Sequence, residues 1–399
     1  MIKRNRIKIL KSVFNIFKQS LLRGCRDLVK HPMYLGCMIG VPLFAAVFFV
    51  TLLSKGVATE VPSAIVDLDR TPTSRNIVRT LDAFHGVDVK YHLDSYTEAM
   101  DYVKQSKIVG FIVIPEGFSS DALAMRRPEL SYYINFSYYA SASLMVKDYT
   151  TISALSNASL VSGTLSAMGM NESTIESVLQ PYVAKVHALG NPWLDYGVYL
   201  ANSFVPTLLA LMVMIMTAYS ITLEIKENTS RQWLETAGGS MAMALWGKLI
   251  PQTVNFTLVG WAIQVYFYGI VGYPLHCPLW TMWLAMMLLV MASQGFALIW
   301  VCIVPNLRLS LSVCCLIGML SFSLAGLSFP VEQMYSWVGV LSRALPAYYY
   351  YEIYCSQALN GLEFAYSAWC YAALLAFTLV PFALMWHLRK KCEHPVYIR

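Results

Sequence analysis

The segment from Glu224 to Gly239 carries the densest chemistry in the second half of the chain. It sets Glu224, Glu227 and Arg231 around Trp233 and Leu234, and Lys248 follows nine residues later. Trp233, Leu234, Ala237, Met241 and Leu245 fit one face of a short interfacial helix. An aromatic anchor flanked by charge is also what a partner protein grips, and a solvated loop is the plainer alternative. Asp67, Asp69 and Arg70 end an apolar run and offer a carboxylate pair for acid–base or metal chemistry, but a strand-end turn with solvated charge is the favoured reading. Nucleotide hydrolysis has no support, since Gly247-Lys248 lacks the upstream glycine and following hydroxyl of a phosphate-binding loop. There is no G-x-S-x-G elbow and no His/Cys spacing of a metal site. No catalytic or metal-ligating residue is assigned. Asn202, Ser203, Gln252, Asn255, Gln264, Ser293 and Gln294 interrupt apolar runs. Interhelical hydrogen bonding explains them, and Asn202, Gln252, Asn255 and Gln294 are the candidates for lining a pathway.

The elements that position these residues are apolar runs of about 20 residues, the length that crosses a bilayer as a helix. They are Met33–Leu53, Leu200–Thr222, Leu249–Gly272, Leu279–Val304, Leu309–Phe329 and Ser367–Leu388, in a chain of mean hydropathy +0.52. Nine Lys/Arg against Asp27 alone precede His31, whereas 54–198 holds eleven bases and fifteen acids. Basic flanks resist translocation, so both termini are expected in the cytoplasm and the acidic segment outside. A nucleic-acid arm is disfavoured because the basic run leads straight into a span. The first span reads as an uncleaved anchor, its basic flank being too long for a signal peptide.

The expected fold is a polytopic α-helical membrane protein with six transmembrane helices and an extracytoplasmic α/β domain inserted between helices 1 and 2. Residues 1–32 form a basic amphipathic segment, 33–54 the first helix, 55–198 the inserted domain and 389–399 a cytoplasmic tail. Residues 199–388 form a five-helix bundle with a coupling loop at 224–248 and outer interfacial helices at 330–366. Trp337, Trp369 and Tyr348–Tyr351 are expected at an aromatic belt. Within the domain, Ser63–Leu68, Val87–Tyr91, Ile108–Ile114 and Leu130–Phe136 read as strands. Pro72–Phe84 and the stretch after Ser95 read as helices, the latter opened by a Ser-x-x-Glu capping pattern. From Ser141 to Ala188 the pattern is helical, broken near Gly169 and Asn171. The domain contains no cysteine, so its own apolar core must hold it; Cys277 and Cys355 are expected to be unpaired.

Arg26-Asp27, Pro32 and a span holding Pro42 resemble the start of ABC type-2 exporter permeases. Val61-Pro-Ser-Ala-Ile-Val-Asp-Leu-Asp-Arg-Thr-Pro-Thr-Ser-Arg75 and Gly110-Phe-Ile-Val-Ile-Pro-Glu-Gly-Phe118 look like the outer domain of the subgroup with a long first loop. Glu224–Glu227, Thr229, Gln232–Thr236 and Gly247-Lys248-Leu-Ile-Pro251 are similar to the family's loop after the second helix. Asn228-Thr229 stands where the family has Gly-Thr, and Thr236-Ala237 where it has Thr-Pro. The resemblance implies a second permease subunit, the same or paralogous, and a cytoplasmic ABC ATPase that carries ATP and Mg. It implies that Glu224, Glu227, Arg231, Trp233, Leu234 and Lys248 couple to that ATPase, with Trp233 and Leu234 filling a groove on it. Export of a hydrophobic or amphipathic compound across a bacterial inner membrane follows, as does association with a periplasmic adaptor and an outer-membrane channel.

Two rivals remain: a membrane-anchored secretion or receptor component, and a proton-coupled transporter. The latter buries carboxylates within its spans, and these spans hold almost none. The topology is testable with Ser95→Cys in a cysteine-free background. An impermeant maleimide should label it from outside, and labelling from the cytoplasmic side alone overturns the arrangement.

Overall fold

The computed structural model describes residues 2–30, 32–54, 60–84, 86–124, 126, 128–167, 169–171 and 195–393, with the side chains of most of these from residue 14 onward. The expected helix beyond Asn171, the end of the tail and the apolar face at Ile9, Leu10 and Val13 fall outside that description. The chain divides into two compact units, Val57–His187 and a second built from Met1–Gly56 with Ala188–Arg399.

In the first unit, β1 (Val61–Asp67), α4 (Pro72–Asp82), β2 (Val87–Leu93), α5 (Tyr96–Lys104), β3 (Gly110–Ile114), α6 (Phe118–Leu123), β4 (Ser131–Ile134) and α7 (Tyr139–Ala167) follow in order. The sheet order is β2-β1-β3-β4, with β1 parallel to β2 and β3, and β4 antiparallel to β3. The chain leaves β1 in one direction and returns past it to β3, so two right-handed crossovers put α4 and α5 on opposite faces. Two apolar clusters result. Ile65, Ile77, Leu81, Ile112, Met145 and Ile152 pack on one face, and Ala64, Val66, Ala99, Ile108 and Phe111 on the other. Strands covered on both faces read as unbroken apolar runs, which is why Gly110–Ile114 carries no polar alternation.

Asp67 and Asp69 are consumed by the turn after β1. Asp67 accepts from the N–H groups of Asp69 (3.1 Å) and Arg70 (3.0 Å) and from Ser74 Oγ (2.7 Å). Asp69 accepts from Thr71 Oγ1 (2.6 Å), from the Ser119 N–H (3.2 Å) and from Ser119 Oγ. These bonds tie the capped start of α4 to α6, as the turn reading expects.

In the second unit, α1 (Ile2–Lys30) precedes the first span, which runs through α2 (Pro32–Leu35), a π-helical turn (Gly36–Gly40) and α3 (Val41–Leu52). The rest comprises a π-helical turn (Gly197–Ala201), α8 (Asn202–Lys226), α9 (Ser230–Thr236), α10 (Met241–Val265) with a π-helical turn (Tyr266–Val271), α11 (Leu279–Ile303) and α12 (Leu307–Leu324). It ends with α13 (Ser336–Arg343), α14 (Pro346–Ile353), a π-helical turn (Tyr354–Leu359), α15 (Phe364–Leu379) and α16 (Pro381–Glu393). Among the described residues, six helical stretches have the length and hydropathy to cross a membrane. α8 and α11 are the most buried, so they form the centre and read as apolar all round. Phe44, Phe48, Val254, Leu258, Leu316 and Met319 stay exposed on the flanking helices, as side chains facing lipid do. At Gly295 a Cβ would overlap the Phe377 carbonyl, so α11 and α15 meet backbone to backbone. Tyr335, Trp337 and Trp369 are exposed, but Tyr348 and Tyr350 are buried. The expected belt at Tyr348–Tyr351 therefore turns partly inward, because α14 packs on α11 and α15.

Burial pushes the Asp69 carboxyl up, but its hydrogen bonds from Ser119, Thr71 and the backbone outweigh that and hold it below its ordinary value of 3.8. A depressed carboxyl stabilises the fold above its unfolded value and loses that contribution as pH falls through the folded one. Asp148, raised by burial, acts with the opposite sign. Asp69→Asn in an isolated fragment spanning 57–187 should cost about 1–2 kcal/mol at neutral pH. The deficit should shrink below pH 4, as followed by thermal unfolding monitored by circular dichroism.

Candidate functional site

α8 runs to Lys226, past the end of its apolar pattern, so Glu224 lies on its last turn. The chain then reverses through Asn228 at φ +57°, a left-handed position that asparagine tolerates. Thr229 returns its N–H to the Glu224 carbonyl (3.0 Å) and its hydroxyl to Glu224 Oε2. α9 closes with Gly238 and Gly239 at φ +65° and +75°. Gly239 donates to the Leu234 carbonyl (2.9 Å) and Gly238 to that of Glu235 (3.0 Å), the paired pattern of a glycine-ended helix. The expected loop at 224–248 is therefore shorter. Lys248 lies inside α10, and the short helix of this loop runs from Ser230 to Thr236.

Glu224 and Lys248 face each other across α8 and α10. Lys248 Nζ lies 2.6 Å from Glu224 Oε1 and donates to the Ser220 carbonyl at 2.9 Å. Arg23 Nη2 of α1 reaches both Glu224 oxygens, at 3.1 and 3.3 Å, and Arg23 Nη1 meets Thr236 Oγ1 of α9 at 3.3 Å. Asp27 Oδ2 stands 4.0 Å from Lys248 Nζ, and the ammonium lies 5.0 Å over the Trp233 ring. The Glu224 and Lys248 side chains are 8% and 7% exposed. Two bases and two acids thus balance in a site largely closed to water. Breaking such a pair strands its partner at a cost of several kcal/mol. α1 approaches closely enough because a Cβ on either Gly24 or Gly247 would overlap the opposite helix. Ser20 Oγ adds a bond to the Met243 carbonyl (3.2 Å).

Ser230, Trp233, Leu234 and Ala237 turn the inner face of α9 into a core shared with Met241, Leu245, Leu388 and Cys392. Ser230 Oγ bonds the Cys392 carbonyl (2.9 Å) and Arg231 Nε the Glu393 carbonyl (2.8 Å), fixing α9 to α16. The expectation that Trp233 and Leu234 fill a groove on a partner is corrected here, since they are 2% and 7% exposed. Glu224 and Lys248 are likewise withdrawn from any docking surface. Glu227, Arg231, Gln232 and Glu235 remain exposed. A cavity of about 460 Å³ opens beside them, lined by Arg231, Leu234, Glu235, Gly238, Gly239 and Glu393. Arg23, Asp27 and Thr236 were missed as partners in this network. The signal for Arg23 and Asp27 was the spacing of Ser20, Arg23, Gly24 and Asp27, which places small and charged residues on one face of α1.

The pathway candidates do not form one surface. Gln294 accepts from Thr253 Oγ1 (2.7 Å) and points Nε2 toward the Leu249 carbonyl (3.5 Å), joining α10 to α11. Gln252 is 1% exposed and Asn202 is 3% exposed, Asn202 opening α8 at the end away from α9. Asn255 is half-buried. Among the described residues no cluster of His, Cys, Asp and Glu could hold a metal ion.

A family model described as ABC-2 family transporter protein matches residues 32–387. It spans most of the chain, which therefore belongs to that family. No curated protein matches it. Membership makes the chain a membrane component of an ABC transporter, with an ABC ATPase as its partner.

Trp233→Ala and Lys248→Met should each lower stability by about 3–5 kcal/mol. Glu224→Gln combined with Lys248→Met should cost far less than the sum of the single changes, because neither charge is stranded. Thermal unfolding in lipid nanodiscs measures both. A Trp233→Ala protein that melts with the wild type would return this side chain to the surface.

Proposed function

We propose that this ABC-2 family member is the permease subunit of an ATP-driven exporter. In this reading it works as a dimer in a bacterial inner membrane, both termini lie in the cytoplasm, and the Val57–His187 unit lies outside. The observation that carries the reading is the Arg23–Glu224–Lys248 network, which binds the short α9 to α1, α8 and α10. A helix of seven residues tied in this way moves with the spanning helices, and a push from a bound ATPase is transmitted as helix displacement. The docking face is the exposed side of α9, with Glu227, Arg231, Gln232, Glu235 and the cavity beside them. Trp233 and Leu234 shape that face from behind. The compound carried outward is hydrophobic or amphipathic, in keeping with a bundle whose buried polar groups are mostly uncharged. A periplasmic adaptor and an outer-membrane channel complete the path in this proposal.

Charge reversal separates docking from folding. Glu227→Lys and Glu235→Lys should leave the melting temperature within about 2 °C of wild type, as exposed substitutions do. They should weaken association with the cognate ATPase about tenfold, within the range for interface charges. Co-purification and ATP hydrolysis in nanodiscs read this out. Equal recovery and equal hydrolysis for wild type and both variants would remove α9 from the coupling mechanism.

A further inference from the structure

Gln264 stands one residue before the end of α10, the end opposite Lys248. It donates Nε2–H to the Met282 carbonyl (3.0 Å) and to the Tyr350 hydroxyl (3.3 Å). Next to it, the Tyr371 hydroxyl lies 3.3 Å from the Thr281 carbonyl and 3.0 Å from Gln357 Oε1. A phenol has one proton, so it serves one of these acceptors at a time. Gln264 is 2% exposed, Gln357 1%, and Tyr350 and Tyr371 4% each. Among the described residues nothing pairs with Gln264 Oε1 or Gln357 Nε2. Turning the Gln264 amide over would set oxygen against the Met282 carbonyl, and turning that of Gln357 would orphan its oxygen instead. Either way each glutamine keeps one amide atom unpaired, in surroundings where that is costly.

A second feature marks the same end. Regular helix gives way to π-helical turns at Gly197–Ala201, Tyr266–Val271 and Tyr354–Leu359. Gln357 lies in the last of these, and the Tyr354 hydroxyl joins it to the first through the Val198 carbonyl (2.8 Å). Such turns break the regular hydrogen-bond ladder and concentrate at functional positions. The packed arrangement here thus combines interrupted helices with amide groups that lack partners.

We propose that this glutamine–tyrosine knot is a site for a neutral hydrogen-bonding group, which enters as this end of the bundle opens. The group is water, or a hydroxyl or amide of the transported compound. It is uncharged because the knot is built from Gln, Tyr and backbone carbonyls, with no acid or base among the hydrogen-bonding partners described. The unpaired amides bias this end toward opening, and the inference rests on the permease reading above.

The test uses the full chain with its ATPase in nanodiscs. Native Cys277, half-buried and accepting from Thr281 Oγ1 at 3.3 Å, reports opening through its rate of labelling by an impermeant maleimide, read by peptide mass spectrometry. Gln357→Met keeps the volume, removes the unpaired amide and leaves the Tyr371 proton to Thr281. It should slow Cys277 labelling about fivefold and raise the melting temperature, as relief of one unpaired buried group predicts. Gln357→Leu should act in the same direction. Slowing without any added compound identifies water as the group, and slowing that requires added decanamide or decanol identifies the compound's own group. Unchanged labelling, or faster labelling with a lower melting temperature, overturns the proposal, since an ordinary structural hydrogen bond gives that sign. Wild-type labelling that ignores ATP would count against the permease reading instead, leaving the comparison of variants intact.

Discussion

A carboxylate on the last turn of a spanning helix governs the end of the bundle where α9 sits. Glu224 is nearly closed to water, and an ionised group in such a place requires counter-charge and hydrogen bonds together. Lys248 supplies the first from α10, Arg23 brings one guanidinium nitrogen to both oxygens from α1, and Thr229 supplies a hydroxyl from the turn. Each donor then constrains its own element. Arg23 reaches the carboxylate only because α1 lies against Gly247, which fixes Gly24 and Ser20 at the crossing. Lys248 also sits over the Trp233 ring, so the indole belongs to the electrostatics of the site as well as to its packing.

The sheet unit solves a similar problem with different means. Its turn carboxylates are satisfied by hydroxyls and backbone N–H groups, with no counter-ion among the described residues. Partial exposure makes that sufficient, because water shares the charge. The contrast explains why one pair of acids sits in a solvated turn while the other acid is held by bases drawn from separate helices.

Much of this was legible in the sequence. The spans follow from run length, and the parallel strands follow from short apolar runs between Pro, Gly and Ser breaks, as at Gly110–Ile114. What the sequence could not convey was direction. Trp233 amid charges reads as an anchor for another protein, because periodicity over seven residues cannot say which side of α9 meets the chain's own core. α16 and α10 decide that, through Cys392, Leu388 and Leu245. Arg23 and Glu224 are separated by 201 positions, and no local pattern reveals a pairing at that distance. The four tyrosines from 348 to 351 carry the same ambiguity, resolved only when α14 turns Tyr350 toward Gln264.

The sequence separations within the Glu224 site also order its biogenesis. Arg23 is synthesised first and waits, with Asp27 one helical turn away, while the first span and the whole sheet unit are made. Glu224 then emerges 24 residues before Lys248. Glu224 lies past the end of the apolar pattern of α8, so α8 can settle without carrying its charge through hydrocarbon, and the carboxylate gains its lysine only once α10 is made. The surface that α1 packs on, at Met243 and Gly247, does not exist when α1 is made, so the first helix of the chain completes a site whose other members come more than two hundred residues later.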